Sequence, residues 1–194
     1  MKKYWIKKKS EYALLLGIFF VFTACQQMSE TETDVAAGLN GGFEIIKNNL
    51  PVNWLMYTPN TVPNADFDIT FDNAIYKEGE QSLRFDVKEC SSTGGWHSPG
   101  FTNEFSDIGK FEGKGNYKLS FWIKNDGSKY HISAGGVAPM EGDMKTLVES
   151  DQQLEDWKYL EYEIDVPKDM HLRMQLNILQ PGTFWIDDIR IEKI

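Results

Sequence analysis

The chain lacks any apolar run long enough to cross a membrane as a helix: its longest, Tyr12 to Ala24, falls short of the roughly 20 residues a bilayer core demands. It has two cysteines, Cys25 and Cys90, too few for a disulfide-stapled scaffold. Positive charge is also scarce, with 20 Lys and Arg against 29 Asp and Glu, a net of −9. That balance argues against nucleic acid or an anionic lipid surface as partner, because both are held by clustered Lys and Arg. The three histidines, His97, His131 and His171, show no metal-ligand spacing, and neither a nucleophile elbow nor a phosphate loop is present. Internal repeats, heptads and low-complexity tracts are missing from the body of the chain. What remains is a single domain of short segments with a proper share of apolar residues.

The N-terminus is where the positive charge went. Five lysines fall within the first nine residues, and the apolar run follows them, a pattern that predicts a secretory signal over 1–24. Thr23 and Ala24 before Cys25 resemble the lipobox of bacterial lipoproteins, although Phe22 stands where Leu is usual. The resemblance implies cleavage before Cys25, lipid on its thiol, and a membrane-anchored protein in the periplasm or at the cell surface. The alternative is an ordinary signal with Cys25 left as a thiol. Without residues 1–24, Lys plus Arg falls from 20 to 15 and Asp plus Glu from 29 to 28, leaving −13. A lipidated Cys25 leaves Cys90 without a disulfide partner, and a shielded thiol is expected there. Residues 25–40, polar and acidic, read as a flexible tether, with the domain over 41–194.

Within that domain the periodicity is two. Leu83, Phe85 and Val87 alternate with Arg84, Asp86 and Lys88; Tyr117, Leu119, Phe121 and Ile123 form one face of the next clear strand; Leu172, Met174, Leu176 and Ile178 form another. Nine or ten such strands, separated by Gly, Asn, Asp and Pro, predict an all-β antiparallel sandwich of two sheets, a jelly roll. Ile45 to Asn49 and Met144 to Glu155 are the only segments with helical character, both short and the second open to reading as a loop. The last strand, Gly182 to Ile194, slips phase: Phe184 and Ile186 are even, Ile189 and Ile191 odd. A bulge is expected at Asp187 and Asp188, and their carboxylates need partners, either backbone amides, a cationic side chain or a bound cation.

The ordered set NGGFE (Asn40 to Glu44), Asn53-Trp54, EGEQSLRF (Glu78 to Phe85), NYKLSFWIK, Trp157 before a strand ending in DVP, and FWIDDIRIE resembles the carbohydrate-binding modules of families four, nine and twenty-two. The resemblance implies a galactose-binding-domain-like jelly roll and often a structural calcium ion, for which Glu44 and Asp187 would supply carboxylate oxygens. Hard oxygen donors suit that ion. The competing expectation is that Asp187 accepts backbone amides at the bulge while Glu44 is solvated.

A sugar site needs an aromatic platform and planar polar groups. Two candidates emerge. One is a sheet face carrying Trp122 with Arg173, Gln175 and Asn177, provided their strands are neighbours; otherwise it is an ordinary polar face. The other is the Gly-rich loop with Trp96 and His97, where the bland reading folds Trp96 back over the sandwich edge. Trp54, Trp157 and Trp185 read as packing residues. Paired acids such as Asp187 and Asp188 point to opposite faces of a strand and make a poor acid/base pair, so no enzyme is expected. The expected function is non-catalytic binding of a polysaccharide or oligosaccharide at the envelope. The alternative is a surface lipoprotein that uses the sandwich to contact other envelope proteins.

Overall fold

The computed structural model describes residues 33–91, 93–103, 115–138 and 141–194; the segment 1–24 expected to be a signal, and Cys25, lie outside the described residues. Twelve strands are described among them. In chain order they are β1 (Ile46–Lys47), β2 (Leu50–Pro51), β3 (Trp54–Tyr57), β4 (Asp66–Asp72), β5 (Ser82–Glu89), β6 (Gly100–Asn103), β7 (Gly115–Asp126), β8 (Tyr130–Ala138), β9 (Glu141–Ser150), β10 (Leu154–Val166), β11 (His171–Ile178) and β12 (Gly182–Lys193). Apart from the small β1–β2 hairpin they form two five-stranded antiparallel sheets, β10-β7-β12-β5-β4 and β3-β6-β11-β8-β9.

The alternation seen in the sequence decides which side of each strand is dry. Tyr117, Leu119, Phe121 and Ile123 are fully buried, as are Phe85, Leu176, Ile178 and Phe184, and they meet between the sheets. At one end Phe43, Trp54 and Phe101 pack with ring centroids 4.9 to 6.1 Å apart, fixing the approach of residues 40–44. Trp185 is buried as expected and donates its indole N–H to Asp72.

Three expectations are corrected. Met144 to Glu155 is not helical, because Glu141–Ser150 is strand β9. Its register on β8 shifts between Ile132 and Ser133, and the irregularity puts Leu147 and Val148 side by side in sequence. Together with Met144 they mimic the i, i+3, i+4 spacing of a helix. Ile45 to Asn49 is likewise a tight hairpin, with Asn48 and Asn49 at positive φ. The tether, third, does not run freely to Asn40. Asp34 caps a 3-10 turn over Val35–Ala37, and the buried Asn53 amide donates to the carbonyls of Asp34 and Gly38, pinning this stretch to the sandwich.

The bulge in the last strand is present. The pairing of β12 with β7 shifts register between Asp187 and Arg190, with Asp188 at φ 49°. It turns Ile189 inward and frees its N–H to donate to the Gly41 carbonyl at 3.0 Å, joining the start of the domain to its end.

Candidate functional site

Whether the predicted residues meet depends on which sheet each strand joins. Trp122 lies on β7 and Arg173, Gln175 and Asn177 on β11, so they occupy different sheets and look out from opposite sides of the sandwich. The proposed shared face does not exist. Alternation told which way each side chain points, but sheet membership is set by pairing between residues far apart in sequence. Trp122 instead packs against Tyr159 of β10, centroids 5.1 Å apart, with the Lys77 ammonium 4.1 Å over its ring. Part of the platform a sugar would need is thus covered by Lys77.

The β11 residues fare better with the Trp96 loop. On the outer face of β3-β6-β11-β8-β9 lies an open cleft of about 490 Å³, walled by Thr93 to Gly95 at one side and floored by His131, Ser133, Thr146, Gln175 and Asn177. Asn177 is 2% exposed and both ends of its amide bond the loop: Oδ1 accepts from the Gly95 N–H at 3.0 Å and Nδ2 donates to the Gly95 carbonyl at 2.7 Å. It is a clamp for the loop rather than a group left open for a ligand. Gly94 and Gly95, both at positive φ, make the turn that presents Trp96, which is 69% exposed and rests against His97 at 4.7 Å between centroids. Trp96 therefore does not fold back over the edge. Ser98 donates to the Ser91 carbonyl and accepts the Gly94 N–H, closing the base of the loop.

A residue absent from the sequence-level selection joins the site. Tyr57, on β3, is registered against Gly100 of β6, the strand between β3 and β11. Its hydroxyl accepts a hydrogen bond from Gln175 Nε2 at 3.1 Å. Burial raises the phenol's pKa, against smaller opposing effects of Arg173 and Gln175, so the hydroxyl keeps its proton at neutral pH. The outward phase of Tyr57 was legible from the inward Trp54 and Met56, but no local signal placed it beside Gln175. At the far side of the cleft, Lys129 pairs with Glu149 at 2.6 Å, and His131 Nε2 lies 3.0 Å from Thr146 Oγ1.

Glu44 and Asp187 both lie near Gly42: a Cβ there would be 3.7 Å from Glu44 Cγ and 4.0 Å from Asp187 Oδ1. Asp187 is fully buried. Its Oδ2 accepts the N–H groups of Lys77 and Glu78 at 2.7 and 3.0 Å, and Oδ1 that of Asp188 at 2.7 Å. Glu44, exposed, accepts from Glu80 and Gln81 through Oε1. Burial pushes the Asp187 carboxyl above its usual range despite the three amide bonds. Among the described residues no cationic side chain forms an ion pair with either, and no group of three or more His, Cys, Asp or Glu is gathered around a common point. Cys90 is half-buried, and burial pushes its thiol pKa up, away from nucleophilic use.

No protein-family model matches the chain, and no curated protein matches it in sequence. Solved structures do match. The chain is similar to the CBM22-1 xylan-binding domain of Paenibacillus barcinonensis Xyn10C, with TM-score 0.56 and 10% identity over 79% of this chain and 92% of that one. A CBM4 module gives TM-score 0.52 and 15% identity over 80% and 98%. The CBM22-1 and GH10 modules of Clostridium thermocellum Xyn10B, solved with xylohexaose, give TM-score 0.55 and 16% identity over 73% of this chain. This chain spans only 26% of that longer protein. At these identities the likeness is one of fold, and the chain has the jelly-roll sandwich of the carbohydrate-binding modules.

Proposed function

We propose that the protein is a non-catalytic glycan-binding module, with its site in the cleft on the outer face of β3-β6-β11-β8-β9. One observation carries the reading: a polar cleft walled by Thr93 to Gly95, the turn that leads into the exposed Trp96 and is clamped by Asn177, with Tyr57 on the same sheet bonded to Gln175 of the cleft floor. Such a surface offers apolar stacking for a pyranose face together with fixed donors and acceptors for its hydroxyls. The structures matched nearly end to end include a xylan-binding domain, which supports the same class. The signal segment and Cys25 further support an extracytoplasmic, lipid-anchored protein that holds glycan close to a membrane.

A structural calcium is proposed with it, held by Glu44 and Asp187. The ion would neutralise a carboxylate pair that has only N–H dipoles facing it, and would tie the N-terminal segment to loop 77–81.

The test is affinity electrophoresis and calorimetry of the protein against a panel of soluble plant and microbial polysaccharides. Binding that Trp96→Ala and Tyr57→Ala each weaken at least tenfold, about 1.4 kcal/mol, while Trp122→Ala leaves it unchanged, is expected. Absence of binding throughout the panel, or binding insensitive to both cleft substitutions, overturns the reading.

A further inference from the structure

The outward side chains of β11 and β3 are not equivalent in hydrogen-bonding character. Asn177 is spent on Gly95. The Tyr57 oxygen already accepts from Gln175 Nε2, so its own proton is left to donate outward. Gln175 Nε2 keeps a second hydrogen, and Arg173, exposed and two residues away on the same face, has only donors. Donors therefore predominate at this end of the face, with Gln175 Oε1 as the acceptor among them. Sugar hydroxyls both give and accept, and a site for neutral sugars presents a mixture; a carboxylate in its ionised form only accepts.

The charges make the same distinction. Lys129 pairs with Glu149 at 2.6 Å, and Lys145 of β9 with Asp143 at 3.7 Å. Arg173 has no carboxylate partner among the described residues, where the neighbouring lysines each have one. Its register partner on β8 is Gly135, which has no side chain to cover the guanidinium. A planar fork left open beside two further donors matches a carboxylate bidentately.

We propose that this sheet face, from Gln175 of the cleft on to Arg173, selects glycans bearing uronic acid carboxylates, with Arg173 receiving the carboxylate and the Tyr57 and Gln175 donors beside it; this rests on the glycan-binding reading above. The neutral part of the chain stacks toward Trp96, and the acidic substituent lies at the Arg173 end. Because the pair is open to solvent, its contribution falls as salt rises.

The experiment compares two acidic polymers, a glucuronic-acid-substituted xylan and polygalacturonate, each with its carboxyl-reduced counterpart, which differs only in having a neutral sugar at the same positions. Full-length protein and the Arg173→Gln and Arg173→Lys variants are titrated by calorimetry at low and high salt. Near-ultraviolet circular dichroism checks that the exposed substitutions leave the fold intact. The expected result is about tenfold tighter binding of at least one acidic polymer than of its reduced form, narrowing with salt, lost in Arg173→Gln and partly kept in Arg173→Lys. Equal affinity of wild-type protein for both forms, or an acid preference that survives Arg173→Gln, overturns the assignment while leaving glycan binding standing. Binding to none of the four polymers, nor to the wider neutral panel, overturns the glycan reading itself and this assignment with it.

Discussion

Replacing Asn177 with alanine tests how the Trp96 loop is held. The side chain makes two hydrogen bonds to Gly95, at 3.0 and 2.7 Å, from a position only 2% exposed. Each is worth about 1 kcal/mol net, and the small cavity left behind adds little because the loop borders solvent. A loss of about 2 kcal/mol follows; with a urea m-value of about 2 kcal/mol/M, the midpoint falls by about 1 M. The loop itself should loosen, since two glycines at positive φ give it little stiffness of their own. Fluorotryptophan labelling reads this directly: the ¹⁹F resonance of Trp96, assigned by its loss in Trp96→Phe, should sharpen and move toward the free-indole position in Asn177→Ala, with the buried Trp54 signal unmoved. An unchanged midpoint together with an unchanged Trp96 resonance would refute the clamp.

Gly100→Ala should destabilise the protein by at least about 2 kcal/mol in chemical denaturation: at φ 153° a Cβ would sit 2.0 Å from the Leu176 carbonyl oxygen, forcing β6 off β11. For Asp72, burial is the largest single influence and raises its pKa, but the Trp185 indole, the Ala74 and Ile75 amides and Arg84 together bring it below the usual carboxylate value. Its contribution is therefore present above the unfolded pKa of about 3.9 and lost as pH falls through the lower folded value, so Asp72→Asn should flatten the acid limb of a stability-against-pH curve. An acid limb of unchanged steepness would contradict that. Chelator should lower the melting temperature and added calcium restore it, since an ion bound only to the folded state stabilises by mass action; no change with either would remove the proposed ion.

Much of the sandwich was legible because its strands carry a strict period of two. In β7 the alternate residues Tyr117 to Ile123, and in β11 Leu172 to Ile178, are apolar and all of them are buried. β9 was hidden because one irregularity against β8 turned that period into a helix-like one. The candidate site was less readable. The sequence showed that Trp122 and Arg173 each face outward, yet facing outward from the same sheet is a matter of long-range pairing that no local pattern encodes. Asn177 illustrates a second limit: an outward polar residue looks the same in sequence whether it waits for a ligand or holds a neighbouring loop. At the bulge that the phase slip demanded, Asp187 does accept backbone amides, one of the partners expected for it.

That bulge also dictates an order of events. The Asp187 carboxylate receives the amides of Lys77 and Glu78 across separations of 110 and 109 residues, and Ile189 reaches back to Gly41. None of these bonds can form until nearly the whole polypeptide has been made, so the early loop around Gly79 must wait, unfinished, for the last strand. Contacts of such sequence separation slow folding. The closing strand thus acts as a completion signal, and a chain truncated before Asp187 should accumulate with loop 73–81 open to proteases.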